Sequence, residues 1–341
     1  MKKNLILFIV LLALGAVAFF AWKRNSTSTL AGEPLSQFAI EDTASITKIF
    51  ITDTKERAVT LEKTPGSRLW KLNDKYWAKH EPVQLLLKTF NRMKARSSVM
   101  TTAKENVIKM ITAAGKKVEV YQNGSDKPSK IYYVGTATPE HTGTYMVLEI
   151  PGQGMSPEPY IVVMEGFTGF LSTRFHAEED DWRYTGVFEY PDLEFSELRV
   201  TFHNQPANSF SVKYGGGNDL MLMDGTDKII PQYDTIALKN YLLNYKKIHF
   251  ETFNSYLTAL QEDSLLKTSP LVSLSVLNEA GEQKQIELYW KRATKDVWDE
   301  GGNLVPQDLE YFFGVVEPRD VVLCQRFVFD PLVVGLGEFA E

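Results

Sequence analysis

The sequence predicts an α+β fold that is internally duplicated, with mostly antiparallel sheets, one main helix per half, and a single N-terminal transmembrane helix ahead of both. Three observations carry this expectation. Residues 5–22 form an unbroken apolar run without a charge. Stretches of period-two alternation come in clusters joined by short turns rather than by long crossover helices. The order of those stretches over residues 45–190 then recurs over 191–341.

The apolar run is at the short end of what crosses a bilayer core, and in lipid such a segment is stable only as a helix. Lys2 and Lys3 precede it, and Trp22, Lys23 and Arg24 close it as an aromatic and basic border. The competing reading is a cleaved signal peptide with its site at Ala16-Val17-Ala18. Cleavage there would leave Phe19, Phe20 and Trp22 as an exposed apolar stub, so residues 1–24 are read as an anchor. No cysteine stands directly after the run, which excludes a lipoprotein; the one cysteine, Cys324, stands among Val321, Val322, Leu323 and Phe327 and reads as buried and inert. Residues 25–44 read as a stalk. A short basic tail followed by a long domain places residues 25–341 outside the cytoplasm.

The first repeat, 45–190, opens with alternation over 45–51, 58–62 and 68–72. A helix starts at Glu81-Pro82-Val83, where proline's missing N–H costs little, and Val83, Leu86, Leu87, Phe90 and Met93 form its apolar face. Residues 117–121 then turn through Asn123-Gly124 into 130–134, a hairpin signal. Strands over 145–150 and 160–164 and a short helix around 166–171 complete the half. The second repeat, 191–341, gives strands over 198–202, 209–214 and 220–223, a helix over 234–245, and a hairpin from 274–277 through Ala280-Gly281 into 285–290. Short stretches at 296–298 and 307–313 follow, and residues 171–175 are paired with 316–320.

Several of these features together resemble the bacterial DUF4340 family of membrane-anchored envelope proteins. They are the anchor, the Leu69-Trp70-Lys71-Leu72 strand before a helix opening with Glu81-Pro82-Val83, the Tyr132-Tyr133-Val134-Gly135 strand end, Tyr145-Met146-Val147, and Phe170-Leu171-Ser172-Thr173-Arg174-Phe175. The resemblance covers most of residues 45–250. It implies association with ABC transporters of the gliding-motility type, hence integral membrane partners, and it carries no catalytic residues over. The second half departs from the pattern, with Leu220-Met221-Leu222 in place of the tryptophan-bearing strand.

Chemistry is sparse. The chain has 37 Lys and Arg against 43 Asp and Glu, and Lys2, Lys3, Lys23 and Arg24 belong to the anchor, so the remainder is acidic and repels nucleic acid. There is no Gly-x-Ser-x-Gly, His-Glu-x-x-His, Cys-x-x-Cys or Gly-x-x-x-x-Gly-Lys-Ser/Thr. The best metal candidate is His176 with Glu178, Glu179, Asp180 and Asp181, against the simpler reading of a solvated acidic loop before Trp182. His80, His141, His203 and His249 show no ligand spacing. Gly215-Gly216-Gly217 reads as a hairpin loop rather than a phosphate cradle. Trp70, Tyr76, Trp77, Trp182, Tyr184, Tyr289 and Trp290 read as packing residues before a carbohydrate groove. Asp42-Thr43-Ala44, Asp234-Thr235-Ile236 and Asp263-Ser264-Leu265 match a loose O-glycosylation pattern.

The expectation is therefore a non-enzymatic, membrane-anchored scaffold or interaction protein, an accessory subunit of an envelope or ABC-transporter complex. Gly15, Ala16 and Ala18 would let its anchor pack closely on partner helices. No catalytic, cofactor or metal residues are assigned. The alternative is an anchored periplasmic hydrolase or carbohydrate-binding protein, using carboxylates such as Glu178 or Asp181 in a cleft between the halves.

Overall fold

A computed structural model describes residues 34–214, 220–298 and 301–339. The anchor, the start of the stalk and Gly215-Gly216-Gly217 lie outside the described residues. Among those described, no helix is long and apolar enough to cross a membrane. The chain is α+β, and every strand pair in it is antiparallel among the described residues. It divides into two compact units between Tyr184 and Thr185.

In the first unit β1 (Ile46–Asp53), β2 (Ala58–Lys63), β3 (Trp70–Leu72) and β4 (Tyr76–Trp77) precede α1 (His80–Arg92), which runs straight into β5 (Met93–Ser98). Then come α2 (Thr101–Ala114), β6 (Lys116–Gln122), β7 (Lys130–Ala137), β8 (Thr144–Ile150), β9 (Gly154–Met155) and β10 (Tyr160–Met164). The sheet order is β4-β3-β2-β1-β6-β7-β8-β10-β5, with β9 on β8.

Period-two alternation assigns side chains to two faces. Tyr132, Val134, Met146, Leu148, Tyr160 and Val162 join the main core with Val83, Leu86 and Phe90 of α1. Their strand neighbours Tyr133, Tyr145, Val147 and Ile161 face the other way and pack with Val107 and Ile111 of α2. Gly135 makes that second layer possible: a Cβ there would stand 2.6 Å from Cγ1 of Ile111 and 3.0 Å from the Tyr145 carbonyl. The incoming chain is fastened across the main core, where Tyr132 donates to the Phe38 carbonyl at 2.7 Å and Lys130 bonds the carbonyls of Gln37 and Ala39.

The second unit contains β11 (Gly186–Phe188), β12 (Phe195–Phe202), β13 (Phe210–Tyr214), β14 (Leu220–Asp224), α3 (Thr235–Leu242), β15 (Ile248–His249), β16 (Thr252–Phe253) and α4 (Ala259–Leu265). It ends with β17 (Val272–Asn278), β18 (Gln283–Trp298), β19 (Leu304–Val316), β20 (Asp320–Gln325) and α5 (Arg326–Phe329). β11 pairs with β15. The main sheet has the order β14-β13-β12-β17-β18-β19-β20-β16.

This order repeats that of the first unit, strand for strand, from β3-β2-β1-β6 through β7-β8-β10-β5. The two-faced packing repeats as well. Leu198, Val212, Leu274, Ile286, Phe312 and Cys324 share a core with Leu238, Tyr241 and Leu242 of α3. Tyr289, Phe313, Val321 and Leu323 form a separate cluster with Leu265 of α4.

Local chemistry explains the helix starts. Asp234 accepts the amides of Ile236 and Ala237 at 2.8 and 2.9 Å, and Thr258 with Gln261 forms a capping box ahead of α4. Asp42 caps the 3-10 turn Thr43–Ser45 in the same way.

Three expectations are corrected. Residues 166–171 are a turn rather than a helix, because Gly166 and Gly169 adopt φ of 74° and 145°; the helical turn is Ser172–Arg174. The stretches at 296–298 and 307–313 are parts of the continuous strands β18 and β19. Residues 316–320 are the β19–β20 turn, so the counterpart of 171–175 is the segment after β20, where α5 begins. The first unit also carries a second long helix, α2, which the sequence did not mark.

Candidate interaction surface

The acidic segment is drawn into separate pairings within the first unit. Glu178 pairs with Arg57, which also donates from Nε to Asp53 at 2.8 Å. Glu179 accepts from Asn73 at 2.6 Å, Asp180 from Arg183 at 3.3 Å, and Asp181 sits 3.0 Å from Nδ1 of His176. The Trp182 indole is buried and donates to the His176 carbonyl at 3.0 Å. The hydrogen bonds of Arg57, aided by the amides of Lys55 and Arg57, hold the Asp53 carboxyl below its usual range despite the opposing pull of burial. These carboxylates tie the loop to the β1–β2 and β3–β4 turns, and among the described residues no three His, Cys, Asp or Glu side chains converge as a metal site.

The other candidates are dispersed. Trp70 and Trp182 are core residues of the first unit, Lys71 covers Trp77 at 4.1 Å, and Arg183 covers Tyr76 at 4.0 Å. Tyr289 is buried beneath α4. His141 lies in the β7–β8 loop beside Phe170, and His203 bonds Ser273 at 2.7 Å. His249 is 3.2 Å from the Thr185 hydroxyl, and His80 opens α1. Cys324 is fully buried, and burial pushes its thiol well above the ordinary range.

A different place in the second unit has the character of a contact surface. β18 is 16 residues long, twice its first-unit counterpart β7 at 8, and β19 is 13 against 7 for β8. β17 follows β18 only as far as Leu288, and β20 follows β19 only to Tyr311. Beyond those positions the two strands continue as a ribbon, an arm whose last pairs are Val297 with Val305 and Trp298 with Leu304.

Its base is polar and closed. The Lys291 ammonium, nearly buried, bonds Asp308, whose other oxygen accepts the amides of Glu310 and Tyr311 at 2.9 and 3.0 Å. Arg326 of α5 lies over the rings of Phe312 and Trp290 at 5.2 and 5.5 Å, reaches the Asp308 carbonyl at 3.4 Å and pairs with Asp330. Apolar side chains face solvent at this base, where Phe327 is 90% exposed, Leu309 49% and Trp290 43%, and at the far end of the arm, where Trp298 is 60% exposed. A cavity of about 500 Å³ opens beside Trp290, bounded by Phe202, Leu271, Phe312 and Arg326.

The sequence reading counts Trp290 with the packing aromatics and Phe327 among the apolar neighbours that bury Cys324, whereas Phe327 faces solvent. The available signal was the contrast between two corresponding hairpins of unequal length. No family model matches this chain, and neither a curated protein nor a solved structure does.

Proposed function

We propose that the protein is a membrane-anchored extracytoplasmic scaffold, single-pass in a bacterial inner membrane with its bulk in the periplasm, serving as an accessory subunit of an envelope or ABC-transporter complex. The observation that carries this reading is the arm of the second unit, with Phe327, Leu309, Trp290 and Trp298 held in solvent on and around it. Exposed apolar side chains gathered at one place are a feature of protein contact sites. The aromatic and arginine content of the base, Trp290, Phe312 and Arg326, is of the kind that supplies interface anchors. The uncharged run at 5–22 with its Trp22-Lys23-Arg24 border supports the membrane assignment, and the resemblance to DUF4340 proteins supports a transporter partner. We further read the two units as copies of one module, since their strand orders coincide; the longer arm then marks the copy that took on binding.

The test is crosslinking in intact cells on the full chain, followed by purification and identification of membrane partners. A transporter permease or ATPase-associated subunit recovered with the natural chain and lost with Phe327→Ser is the expected result. Recovery of no integral membrane partner would sink the reading.

A further inference from the structure

We propose that the end of the first unit carrying Met100 and Met155 is a membrane-seating surface, which lies on the bilayer that would hold residues 5–22. The inference rests on the anchor reading of that run and is independent of the arm and of any transporter partner.

The strand ladder brings the two methionines to one end of the sheet. β5 closes at Ser98 opposite Tyr160, the first residue of β10, and the Val99 amide donates to the Pro159 carbonyl at 2.9 Å just ahead of Met100. β7 lines one edge of β8 as far as Glu149, so β9 pairs with β8 on the other edge, in line with β10, and Met155 lies opposite Glu149. Among the described residues these are the two most exposed large apolar side chains of the unit, at 78% and 52%. Local structure requires neither. Met100 is the N-cap of α2, where Ser, Thr, Asp or Asn would accept from the first free amides, and it makes no side-chain capping bond. Met155 follows Gly152 and Gly154, at φ of 86° and 98°, where an added Cβ would meet nothing within 4 Å. Across residues 97–103 and 150–159 the only charged residue is Glu158. A nearly uncharged rim with protruding apolar side chains suits the interfacial region of a bilayer, where binding grows with the apolar area buried.

The incoming chain reaches the unit at this same end. Lys130, the first residue of β7, bonds the carbonyls of Gln37 and Ala39, and Phe38 meets Tyr160 edge-on with ring centroids 5.8 Å apart. The 3-10 turn Pro34–Ser36 lies against β8. Twelve residue steps separate Trp22 from Pro34, a span of at most about 40 Å when fully extended. A unit tethered that closely, with its attachment on the Met100–Met155 end, presents that end to the lipid.

The experiment reconstitutes the full chain into phosphatidylcholine vesicles at a low protein-to-lipid ratio. An environment-sensitive fluorophore is placed on Met100→Cys or Met155→Cys, and a nitroxide quencher on the lipid near its headgroup. Cys324 is buried, so the natural chain is the labelling blank. Glu140→Cys, exposed in the β7–β8 loop at the far end of the same strands, is the reference position. Labels at 100 and 155 should be quenched about twofold or more strongly relative to the label at 140. Met100→Asp, which supplies the missing cap and so should keep α2 folded, should weaken the quenching of the label at 155. Equal quenching at all three positions, in chain that stays with the vesicles through an alkaline wash, overturns the seating surface and leaves the anchor standing. Chain stripped by that wash removes the anchor and the inference with it. Quenching at 100 and 155 that disappears as the chain is diluted in lipid assigns the surface to a second copy and likewise overturns the proposal.

Discussion

Lys291 grips the carboxylate of Asp308 across the base of the arm, with both side chains nearly buried at 9% and 14% exposure. The bond sits where the β18–β19 ladder changes register between Trp290 and Arg292, and the same carboxylate gathers the amides of Glu310 and Tyr311. One acidic side chain therefore satisfies backbone groups that the broken ladder cannot. Removing either partner leaves the other charge buried and alone, which costs about 3 kcal/mol in such settings. Lys291→Met and Asp308→Asn should each lower the urea midpoint by a corresponding amount. Lys291→Met combined with Asp308→Asn should cost less than the sum of the single changes.

The pair also sets a pH dependence. Burial alone would push the Asp308 carboxyl up, but the Lys291 bond and the two amides outweigh it and hold the group below its ordinary range. A depressed folded value means that the contribution is complete above the unfolded carboxylate value of about 3.9 and disappears as pH falls through the folded value. Acid unfolding of Asp308→Asn should lack that component, so the difference between natural and variant stability should shrink as pH drops below about 4. A difference that stays constant down to acid unfolding would show that the pair is not ionised as described.

Lys130 gives the opposite end of the scale. Burial lowers its ammonium to about 8, against a smaller upward pull from Glu41, while the carbonyls of Gln37 and Ala39 accept its hydrogens. The unfolded chain, at about 10.4, then holds more protons than the folded chain between those values, so stability should rise as pH increases through that window. Lys130→Met should flatten the rise. Chemical denaturation of both proteins between pH 7.5 and 9.5, below the range of ordinary tyrosines, measures it; equal slopes would refute the assignment.

Much of the fold was legible because it follows local rules. Asn123 and Gly124, with φ of 55° and 71°, make a tight turn at the start of the loop that joins β6 to β7, and Val83, Leu86 and Phe90 bury the expected helical face. Helix α2 escaped notice because only Val107 and Ile111 of its residues are buried, too short a stripe to stand out. The arm was hidden for a related reason: Lys291, Arg292, Lys295 and Asp296 interrupt the apolar alternation after Trp290, and the Lys291–Asp308 bond that accommodates one of them spans 17 positions. The acidic segment drew attention as a ligand cluster because its partners are remote, Asn73 standing 106 positions from Glu179. Residue types betray a charge cluster locally; what neutralises it is decided by the sheet.

Gly135 is the point of closest approach between α2 and β7. A methyl group there would meet Cγ1 of the packed Ile111 at 2.6 Å and the Tyr145 carbonyl of β8 at 3.0 Å, so the helix or the strand must shift. Gly135→Ala should therefore destabilise by about 1–3 kcal/mol as an overpacked core change. Gly135→Ala should cost less in an Ile111→Ala background than in the natural chain, because one of the two collisions is with Cγ1 of the isoleucine, which alanine lacks and valine would keep. Thermal unfolding of the natural chain, the two single variants and the double variant decides it, and a Gly135→Ala protein as stable as the natural one would mean that the helix does not rest on β7 at this distance.

Cys324 turns the second core into its own reporter. It is the only thiol in the chain, fully buried on β20, and its sulfur fills the space above Gly314, where a Cβ would stand 2.6 Å away. Burial pushes the thiol up, so the reactive thiolate is scarce in the folded state even before access is considered. Modification by a thiol reagent should then proceed only through opening of the β19–β20 region, at a rate that tracks stability when reclosing is fast. Gly314→Ala, which forces β19 away from the sulfur, should accelerate labelling and lower the melting temperature together. Rapid stoichiometric labelling of the native chain would contradict the burial of Cys324, and unchanged labelling in Gly314→Ala would separate the sulfur from the β19–β20 contact.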